Sequence, residues 1–272
     1  MLNWITITIV DDCSNFDYTD ITQQFPKINL IKQDKNKGPG NARKVGIKNT
    51  SNPYIMFVDC GDIILSKYCF NMIHDELDNN RMPDIYEWQW INDDTHKVSH
   101  SYEPSTPAKI YKREFLEIYE LYPYDEGVGS YAAEDCGLNF TCYSLLEDFE
   151  YEESTPHFKH IKIPIYRTVT NQNSLTYKNN KEFNYTSVPG IIVNAIYYAK
   201  NCERLNIHTD IINNKLSLYI VDIYRLFLKC LKNRPELAEE YWHYIKKFYD
   251  EVYYKYENHS TYRTMYFKVQ LK

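Results

Sequence analysis

The sequence predicts an α/β protein with a mostly parallel, Rossmann-like sheet flanked by helices, followed by a C-terminal helical region. Two short runs of apolar and β-branched residues, Ile5–Val10 and Tyr54–Val58, predict buried strands, and each run ends in carboxylates. Beyond residue 184, long segments carry apolar residues at helical spacing, which predicts the helical region. Open α/β sheets bind ligands in the crevice beyond the carboxyl ends of their parallel strands, so the two carboxylate tips predict one ligand site.

Strands and helices alternate through the first half of the chain, which is the rhythm of a parallel sheet. The predicted elements are a strand at 5–10, a short helix or loop at 15–24, a strand at 28–32, a helix at about 41–49, a strand at 54–58, a helix that begins after Ser66, a strand at 85–91 and a helix at 112–119. A turn at 38–40, with the sequence Gly-Pro-Gly, precedes the helix at 41–49. Ser66 is a favourable N-cap, and the helix after it carries Phe70, Ile73 and Leu77 on one face.

The second half of the chain is predicted to be mainly helical. Glu134 and Asp135 open a segment in which Leu138, Cys142 and Leu145 fall on one helical face. Three further helices are predicted at 191–205, 209–231 and 235–256, with a break at 233–235. We therefore divide the chain into an α/β domain at 1–180 and a helical region at 181–272.

Composition and charge argue against several classes of protein. The chain has 31 Lys and Arg against 37 Asp and Glu, a net charge of -6, which argues against binding nucleic acid through overall charge. It has no apolar stretch near the roughly 18 to 20 residues that span a bilayer, and its start lacks the features of a signal peptide. We therefore expect no transmembrane segment and a cytoplasmic location. The basic residues Arg263, Lys268 and Lys272 leave open a peripheral contact with an anionic membrane, and the sequence does not predict the oligomeric state.

Five short motifs follow one another along the first two thirds of the chain. They are Val10–Ser14, 36–47 with Gly38 and Arg43, Phe57–Asp62, Glu134 with Asp135, and Tyr166 and Arg167 with Asn173–Leu175. In order and spacing these motifs resemble the family 2 glycosyltransferases, such as bacterial and phage polysaccharide glycosyltransferases. The resemblance implies a GT-A fold, a nucleotide-sugar donor, for which we expect a UDP-sugar, and a hydroxyl acceptor on a glycan or another molecule. It makes residues 1–180 the catalytic domain that binds the nucleotide sugar.

The resemblance assigns the first three motifs to the donor. Asp12, with Asp11 beside it, matches the residue that reads the nucleotide base; the alternative is that one of these carboxylates caps the following turn. Gly38 belongs to a turn that brings backbone close to a ligand, and Arg43 supplies a cation suited to a diphosphate or to a carboxylate that contacts the base. Asp59 matches the first Asp of the family's DxD signature, which commonly contacts the ribose and helps to place the metal.

The third motif departs from the family pattern. The usual run is Asp, any residue, Asp, Asp, whereas this chain has Asp59, Cys60, Gly61 and Asp62. Gly61 has no side-chain ligand atom, so a hard cation such as Mn²⁺ or Mg²⁺ has to be held by Asp62, Asp59, the diphosphate and water. We therefore predict a divalent metal cofactor bound by Asp62 and Asp59. The chain also begins at the family's second strand, so we expect the usual first strand to be absent.

The resemblance assigns the chemistry to the last two motifs. Glu134 and Asp135 match the family's ED element, which implies that Asp135 is the general base and Glu134 a neighbour that contacts the acceptor. The alternative, from spacing alone, is that both carboxylates stabilise the N-terminus of the next helix. The family inverts at the anomeric carbon by direct displacement. Arg167 and Ser174 match a late motif near the acceptor and the diphosphate.

Two other functions remain open from the sequence. Gly61 and the missing first strand are compatible with a catalytically weak or inactive relative that binds a nucleotide sugar. A nucleotidyltransferase that makes sugar nucleotides is disfavoured, because no Gly-rich signature loop with a basic residue follows an N-terminal strand. We expect His157 and His160 to be surface or packed side chains rather than additional metal ligands, and Trp88 and Trp90 to pack in the core rather than to stack on a sugar.

Overall fold

A computed structural model describes residues 3–78, 83–100, 102–123, 134–152, 157–169 and 187–256 of the protein. Within these residues the strands are β1 (Thr8–Asp11), β2 (Asn29–Lys32), β3 (Tyr54–Met56), β4 (Ile63–Ile64), β5 (Ile85–Asn92), β6 (Lys109–Lys112) and β7 (Phe158–Thr168). The helices are α1 (Thr19–Gln24), α2 (Pro39–Lys48), α3 (Lys67–Asp78), α4 (Arg113–Ile118), α5 (Cys136–Glu152), α6 (Ser187–Arg204), α7 (Thr209–Asn233) and α8 (Pro235–Phe248), and a π-helical turn follows at Tyr249–Tyr253. The predicted alternation of strands and helices is therefore confirmed for the first half of the chain.

The strands form one two-stranded and one five-stranded sheet within the described part of the chain. Strands β1 and β2 pair in parallel, and the larger sheet has the order β3-β6-β5-β7-β4. Its longest ladder, between β5 and β7, is also parallel. Strand β6 runs antiparallel between β3 and β5, and β4 runs antiparallel to β7. Short antiparallel strands are thus added around the parallel ladders.

Strands β4, β6 and β7 were not predicted from the sequence, and each lacks a clear sequence signal for a physical reason. Strand β4 is only two residues long. Strand β6 begins and ends with a lysine, at Lys109 and Lys112, so it lacks an apolar run. Strand β7 contains Pro164, which lies opposite Gln89 where the register of the β5–β7 ladder shifts. Proline has no N–H to donate to the ladder, and such irregularities are where strands tolerate it.

Helices cover both faces of the five-stranded sheet. Successive residues of a strand point to opposite faces, and Ile85 and Tyr86 of β5 accordingly lie in two different hydrophobic clusters. Helix α3 contributes Ile73 to the smaller cluster, and helix α2 contributes Ile47 to the larger one. This layering of helix, sheet and helix is the α/β architecture that the sequence predicted.

The larger hydrophobic cluster continues into the C-terminal helices, where α6 and α7 pack against α5 and α8 packs against α6 and α7. Helix α6 approaches the start of α5 closely: a Cβ atom at Gly137 would lie 2.8 Å from Asn194 Oδ1 and 2.9 Å from Tyr197 Cδ1. The Gly137 N–H donates a hydrogen bond to the same Asn194 oxygen at 3.2 Å. The helical region therefore fixes the first turn of α5, directly after Asp135. The boundary between 180 and 181 stays a prediction.

The aromatic and histidine side chains singled out in the sequence lie within the fold. Trp88 is buried, and Trp90 packs against the smaller hydrophobic cluster. His157 Nδ1 is 2.6 Å from Asp84 Oδ2, and His160 Nδ1 is 3.3 Å from a carboxylate oxygen of Glu87. Among the described helices, none combines the length and the apolar character needed to cross a membrane.

Candidate active site

Contacts between side chains and backbone join all five sequence motifs into one cluster. Asp12 of the first motif accepts hydrogen bonds from the second, Arg43 of the second motif pairs with Asp59 of the third and Glu134 of the fourth, and Tyr166 of the fifth motif contacts the third. These motifs are far apart in the sequence, and Arg43 and Glu134 are separated by 91 residues. The cluster lies where β1 and β3 end, which is the edge at which α/β sheets bind ligands.

The first motif is tied to the turn before α2. Asp11 is buried, and its Oδ1 accepts a hydrogen bond from the Ser14 N–H at 2.9 Å. Hydrogen bonds from Ser14 lower the pKa of Asp11, because they favour its charged form. Asp12 accepts hydrogen bonds from the backbone N–H groups of Lys37 and Gly38, at 2.8 Å and 2.6 Å. The hydrogen bond from Ser14 to Asp11 matches the alternative that one of the two carboxylates caps the following turn. Asp12 instead holds the distant turn before α2, and its role toward the nucleotide base stays a prediction.

Gly38 has the backbone conformation that the turn requires. Its φ of 87° lies in the left-handed region, where a glycine avoids the steric penalty of other residues. Pro39 then occupies the first position of α2, where its fixed φ suits a helix and its missing N–H has no intrahelical partner to lose. The turn thus directs α2 so that Arg43, one turn along the helix, faces the tip of β3.

Arg43 is the centre of the cluster. Its Nη2 lies 2.8 Å from Asp59 Oδ1, and its Nη1 donates to Glu134 Oε1. The Arg43 side chain is 9% exposed, compared with 49% for Asp59 and 12% for Glu134. Burial by itself lowers the pKa of Arg43, but the charges of Asp59 and Glu134 outweigh burial and raise it. Arg43 is therefore a fixed, fully charged cation between the two carboxylate motifs.

The Asp59–Asp62 turn is closed by a tyrosine that the sequence analysis did not select as a site residue. Tyr166 Oη accepts a hydrogen bond from the Asp59 N–H at 3.0 Å and donates one to Asp62 Oδ2 at 2.8 Å. Asp62 Oδ1 accepts a further hydrogen bond from the Val169 N–H at 2.8 Å. Burial raises the pKa of Asp62 against the opposing effect of these hydrogen bonds. The backbone φ of Gly61 is +97°, and no heavy atom lies within 4 Å of an added Cβ. This conformation, rather than a lack of space, disfavours the aspartate that is usual at this position in the family.

The predicted metal ligands, Asp59 and Asp62, suit a hard cation that would also be coordinated by the diphosphate of a bound donor and by water. Asp59 and Asp62 are the two carboxylates of the tip, and a carboxylate has about four lone-pair positions, so a hydrogen bond at each oxygen of Asp62 leaves acceptor capacity. Mg²⁺ is typically bound through one or two protein carboxylates together with phosphates and water. In the described part of the chain, no group of three or more Asp, Glu, His or Cys side chains is arranged as a metal site.

Glu134 and Asp135 are held by long-range partners. Burial raises the pKa of Glu134, the nearby charge of Asp135 raises it further, and Arg43 opposes both effects. Asp135 Oδ2 accepts hydrogen bonds from the Thr106 N–H at 2.8 Å and from Thr106 Oγ1 at 2.9 Å. These hydrogen bonds go to Arg43 and Thr106, which lie outside α5. Both carboxylates also directly precede α5, so stabilisation of the N-terminus of that helix stays an alternative to the catalytic role. Thr106 carried no recognisable signal in the sequence.

The late motif is described only in part. Arg167 lies on β7, where it pairs in register with Ile63, the residue directly after the Asp59–Asp62 turn. Its Nε is 3.7 Å from Asp93 Oδ1. Ser174, together with Asn173 and Leu175, lies outside the described residues. The predicted roles of Arg167 and Ser174 therefore stay predictions.

Comparison with known proteins identifies the class of this domain. Residues 2–131, a little under half of the chain, match the family model described as "Glycosyl transferase family 2". This match confirms the resemblance of the sequence motifs to that family and supports the glycosyltransferase class predicted from them. An uncharacterized glycosyltransferase of Rickettsia conorii is 42% identical over 59 residues, which are 21% of this chain and 10% of that protein. The chain thus spans about a tenth of the length of this curated relative.

Solved structures confirm the GT-A fold. The 1–349 fragment of S. aureus TarS superimposes with a TM-score of 0.63 at 18% sequence identity, covering 93% of this chain and 73% of that one. The same fragment in complex with UDP-GlcNAc gives a TM-score of 0.55 at 18% identity, with 92% and 82% of the two chains covered. Its complex with UDP gives 0.52 at 16% identity, with 88% and 82% covered. At these identities the similarity concerns the fold.

Proposed function

We propose that this protein is an inverting glycosyltransferase that moves a sugar from a UDP-sugar to a hydroxyl group of a glycan or another acceptor. The observation that carries the proposal is the Arg43 cluster, in which one buried cation joins Asp59 at a strand tip to Glu134, the neighbour of Asp135. Such a cluster combines a site for an anionic donor with a carboxylate base. The family match of residues 2–131 and the UDP and UDP-GlcNAc complexes of TarS support the choice of donor.

In the proposed reaction, Asp135 accepts the proton of the acceptor hydroxyl. The acceptor oxygen forms a bond to the anomeric carbon from the side opposite the leaving group, so the configuration inverts. The bond between the anomeric carbon and the phosphate oxygen breaks, and its electron pair leaves with UDP. General base catalysis of this kind contributes roughly a hundred- to ten-thousandfold in rate.

Arg43 and the strand tips carry the donor in this proposal. Asp59 binds the ribose, and Asp11 and Asp12 lie toward the nucleotide base. The guanidinium of Arg43 is held between two carboxylates, so its charge has a fixed position beside the diphosphate. Fixed charges stabilise a developing negative charge without reorganising during the reaction. We assign Gly38, Arg167 and Ser174 to the same donor and diphosphate side.

A divalent cation, Mn²⁺ or Mg²⁺, belongs to the proposal as a cofactor. Asp62 and Asp59 are the residues that would hold it, together with the diphosphate and water, because Gly61 has no ligand atom. A cation bound there neutralises charge on the departing UDP.

Binding and turnover measurements test the proposal directly. Isothermal titration calorimetry with UDP, GDP and dTDP, each with and without Mn²⁺, compares the nucleotides at one site. We expect UDP to bind more tightly than the other two, and UDP-GlcNAc to release UDP faster with the protein than without it, since water can replace the acceptor hydroxyl. A protein that binds none of these nucleotides contradicts the proposal.

The second candidate is a nucleotide-sugar-binding relative with little or no catalytic activity. It is favoured by Gly61 and by the hydrogen bonds from Tyr166 and Val169 that engage both oxygens of Asp62. The same measurements separate the two candidates. Tight binding of UDP-GlcNAc with no UDP release above the background, for a panel of hydroxyl acceptors and for water, favours the binding protein.

A further inference from the structure

A buried polar cluster lies behind Asp135. Glu87 of β5 and Lys109 of β6 are both buried, and Glu87 Oε1 is 3.2 Å from Lys109 Nζ. The same carboxylate accepts a hydrogen bond from Tyr143 Oη at 2.9 Å and lies 3.3 Å from His160 Nδ1. Burial lowers the pKa of Lys109 against the opposing charge of Glu87. The cluster thus places a charged pair in the protein interior.

This cluster holds one segment of backbone, residues 102–106, which we call the bracing segment. The N–H groups of Tyr102 and Glu103 donate to Glu87 at 2.7 Å and 3.1 Å. The carbonyl oxygens of the next residues accept hydrogen bonds from side chains: Glu103 from Tyr143, whose single hydroxyl proton is shared with Glu87, Pro104 from Asn139 and Ser105 from Lys109. Every residue from 102 to 105 is therefore fixed by a side chain of β5, β6 or α5.

The bracing segment ends at Thr106, and Thr106 holds Asp135. Both donors of Thr106, its N–H and its hydroxyl, point to Oδ2 of Asp135, at 2.8 Å and 2.9 Å. The other oxygen of Asp135, Oδ1, accepts neither of these hydrogen bonds. Two donors on one oxygen fix the rotation of the carboxylate, which directs Oδ1 in a defined orientation. Thr106 itself is 1% exposed, so water does not compete for these donors.

We propose that Thr106 is a positioning residue for the Asp135 carboxylate, and that the Glu87–Lys109 pair fixes the segment that carries Thr106. The proposal rests on the proposed function, in which Asp135 is the general base. A buried ion pair is weak evidence for stability, since packed apolar residues often serve as well. Its effect here is to fix backbone groups in one arrangement. A carboxylate that removes a proton needs such a defined position, because a shift of about 1 Å costs roughly a hundredfold in rate.

Three matched variants test the role of Thr106. Thr106→Val removes the hydroxyl and keeps the shape, Thr106→Ser keeps the hydroxyl, and Thr141→Val is the control. Thr141 is also buried, and its hydroxyl donates to the Gly137 carbonyl oxygen at 2.7 Å rather than to Asp135. We expect Thr106→Val to lower kcat for UDP release from UDP-GlcNAc about ten- to hundredfold, with KM and the Kd of UDP within about threefold of the wild type. Thr106→Ser restores most of the activity.

Two outcomes of these measurements would overturn the proposal. A Thr106→Val protein with wild-type kcat excludes a positioning role for the hydroxyl. An equal loss of kcat in Thr106→Val and Thr141→Val, with equal losses of Tm, shows that the effect is general destabilisation and also overturns the proposal.

Amide hydrogen exchange tests the same contact without catalysis. We expect the Thr106 amide to be protected in the wild type and to exchange at least about tenfold faster in Asp135→Ala, while the Trp88 amide, which donates to the Ala108 carbonyl oxygen, is unchanged. Lys109→Met should speed exchange of the Tyr102 and Glu103 amides. Unchanged exchange at Thr106 in Asp135→Ala overturns the positioning contact. Absence of UDP release by the wild type contradicts the proposed function alone, and the exchange of Thr106 then decides the positioning contact by itself.

Discussion

Two carboxylate pairs flank Arg43, and they are built in opposite ways. Asp59 and Asp62 belong to one four-residue turn, which is closed by the hydrogen bond from the Asp62 N–H to the Asp59 carbonyl oxygen at 3.1 Å and by the positive φ of Gly61. Tyr166 and Val169 add contacts from more than 100 residues away, but the turn itself sets the spacing of these two carboxylates. Glu134 and Asp135 are positioned by partners 91 and 29 residues away. Asp59 is half exposed, whereas Glu134 is nearly buried.

This difference suits the proposed division of roles, with the donor site on one side of Arg43 and the base on the other. A local, exposed turn can exchange its ligands without disturbing the core. A carboxylate pair held by distant buried groups is preorganised, and preorganised charge is what a chemical step requires. Substitutions on the two sides of Arg43 should therefore have different consequences.

The largest effect is expected at Asp135. Asp135→Asn removes the proposed proton acceptor but keeps the size of the side chain, so UDP release from UDP-GlcNAc should fall about a hundred- to ten-thousandfold. The Kd of UDP, measured by calorimetry, should stay within about threefold of the wild type. Asp75→Asn, on the exposed surface of α3, is the control and should have wild-type activity. Turnover at the wild-type rate in Asp135→Asn removes Asp135 from the mechanism.

The next effect concerns the stability of the cluster. Arg43→Met leaves the nearly buried carboxylate of Glu134 without its cation, and breaking a buried ion pair in this way typically costs about 3 kcal/mol or more. We expect the free energy of unfolding in urea to fall by about this amount. The double variant Arg43→Met with Glu134→Gln removes the uncompensated charge and should recover part of the loss. A loss in the double variant equal to that in Arg43→Met would show that charge is not the cause.

A smaller effect is expected from the metal side. If Asp62 and Asp59 hold a divalent cation, EDTA should lower UDP release about tenfold, and added Mn²⁺ should restore it. Asp62→Ala should raise the Mn²⁺ concentration needed for half-maximal release. Unchanged release both in EDTA and in Asp62→Ala contradicts the assignment of Asp62.

The smallest effect is expected at Gly61. Its φ of +97° is unfavourable for residues with a Cβ, so Gly61→Ala should cost about 1 to 2 kcal/mol in the free energy of unfolding, although the site has open space. Gly46→Ala is a control of opposite sign. Gly46 lies inside α2, and an added Cβ meets only Val10 Cγ2 at 3.7 Å, so this substitution should stabilise by about 0.5 to 1 kcal/mol. Equal signs for the two glycines would contradict the conformational argument.

The sequence predicted the parts of the fold and of the site that have a local signature. The β-branched runs located β1 and β3, and the Gly-Pro-Gly turn located the start of α2. The motif residues Arg43, Asp59 and Glu134 meet as expected for one site. Their spacing in the sequence, however, gave no information about which of them pair.

Residues that fix the site through long-range contacts could not be predicted. Tyr166 belongs to a sequence motif, but its contact with Asp59, 107 residues away, had no sequence signal. Thr106, which reaches Asp135 across 29 residues, had no signal of any kind. Hydrophobic periodicity locates buried apolar residues, so it does not detect a buried threonine or the buried Glu87–Lys109 pair. In the sequence, a buried polar residue looks the same as an exposed one. Only the three-dimensional structure reveals the contacts of such residues.

The most direct test of the central claim is a crystal structure of this protein with UDP. We expect the nucleotide to lie across the ends of β1 and β3, with its ribose and diphosphate in contact with Asp59 and Arg43 and with Asp135 facing the empty sugar position. UDP bound elsewhere, with the pairs of Arg43 to Asp59 and Glu134 untouched, would contradict it.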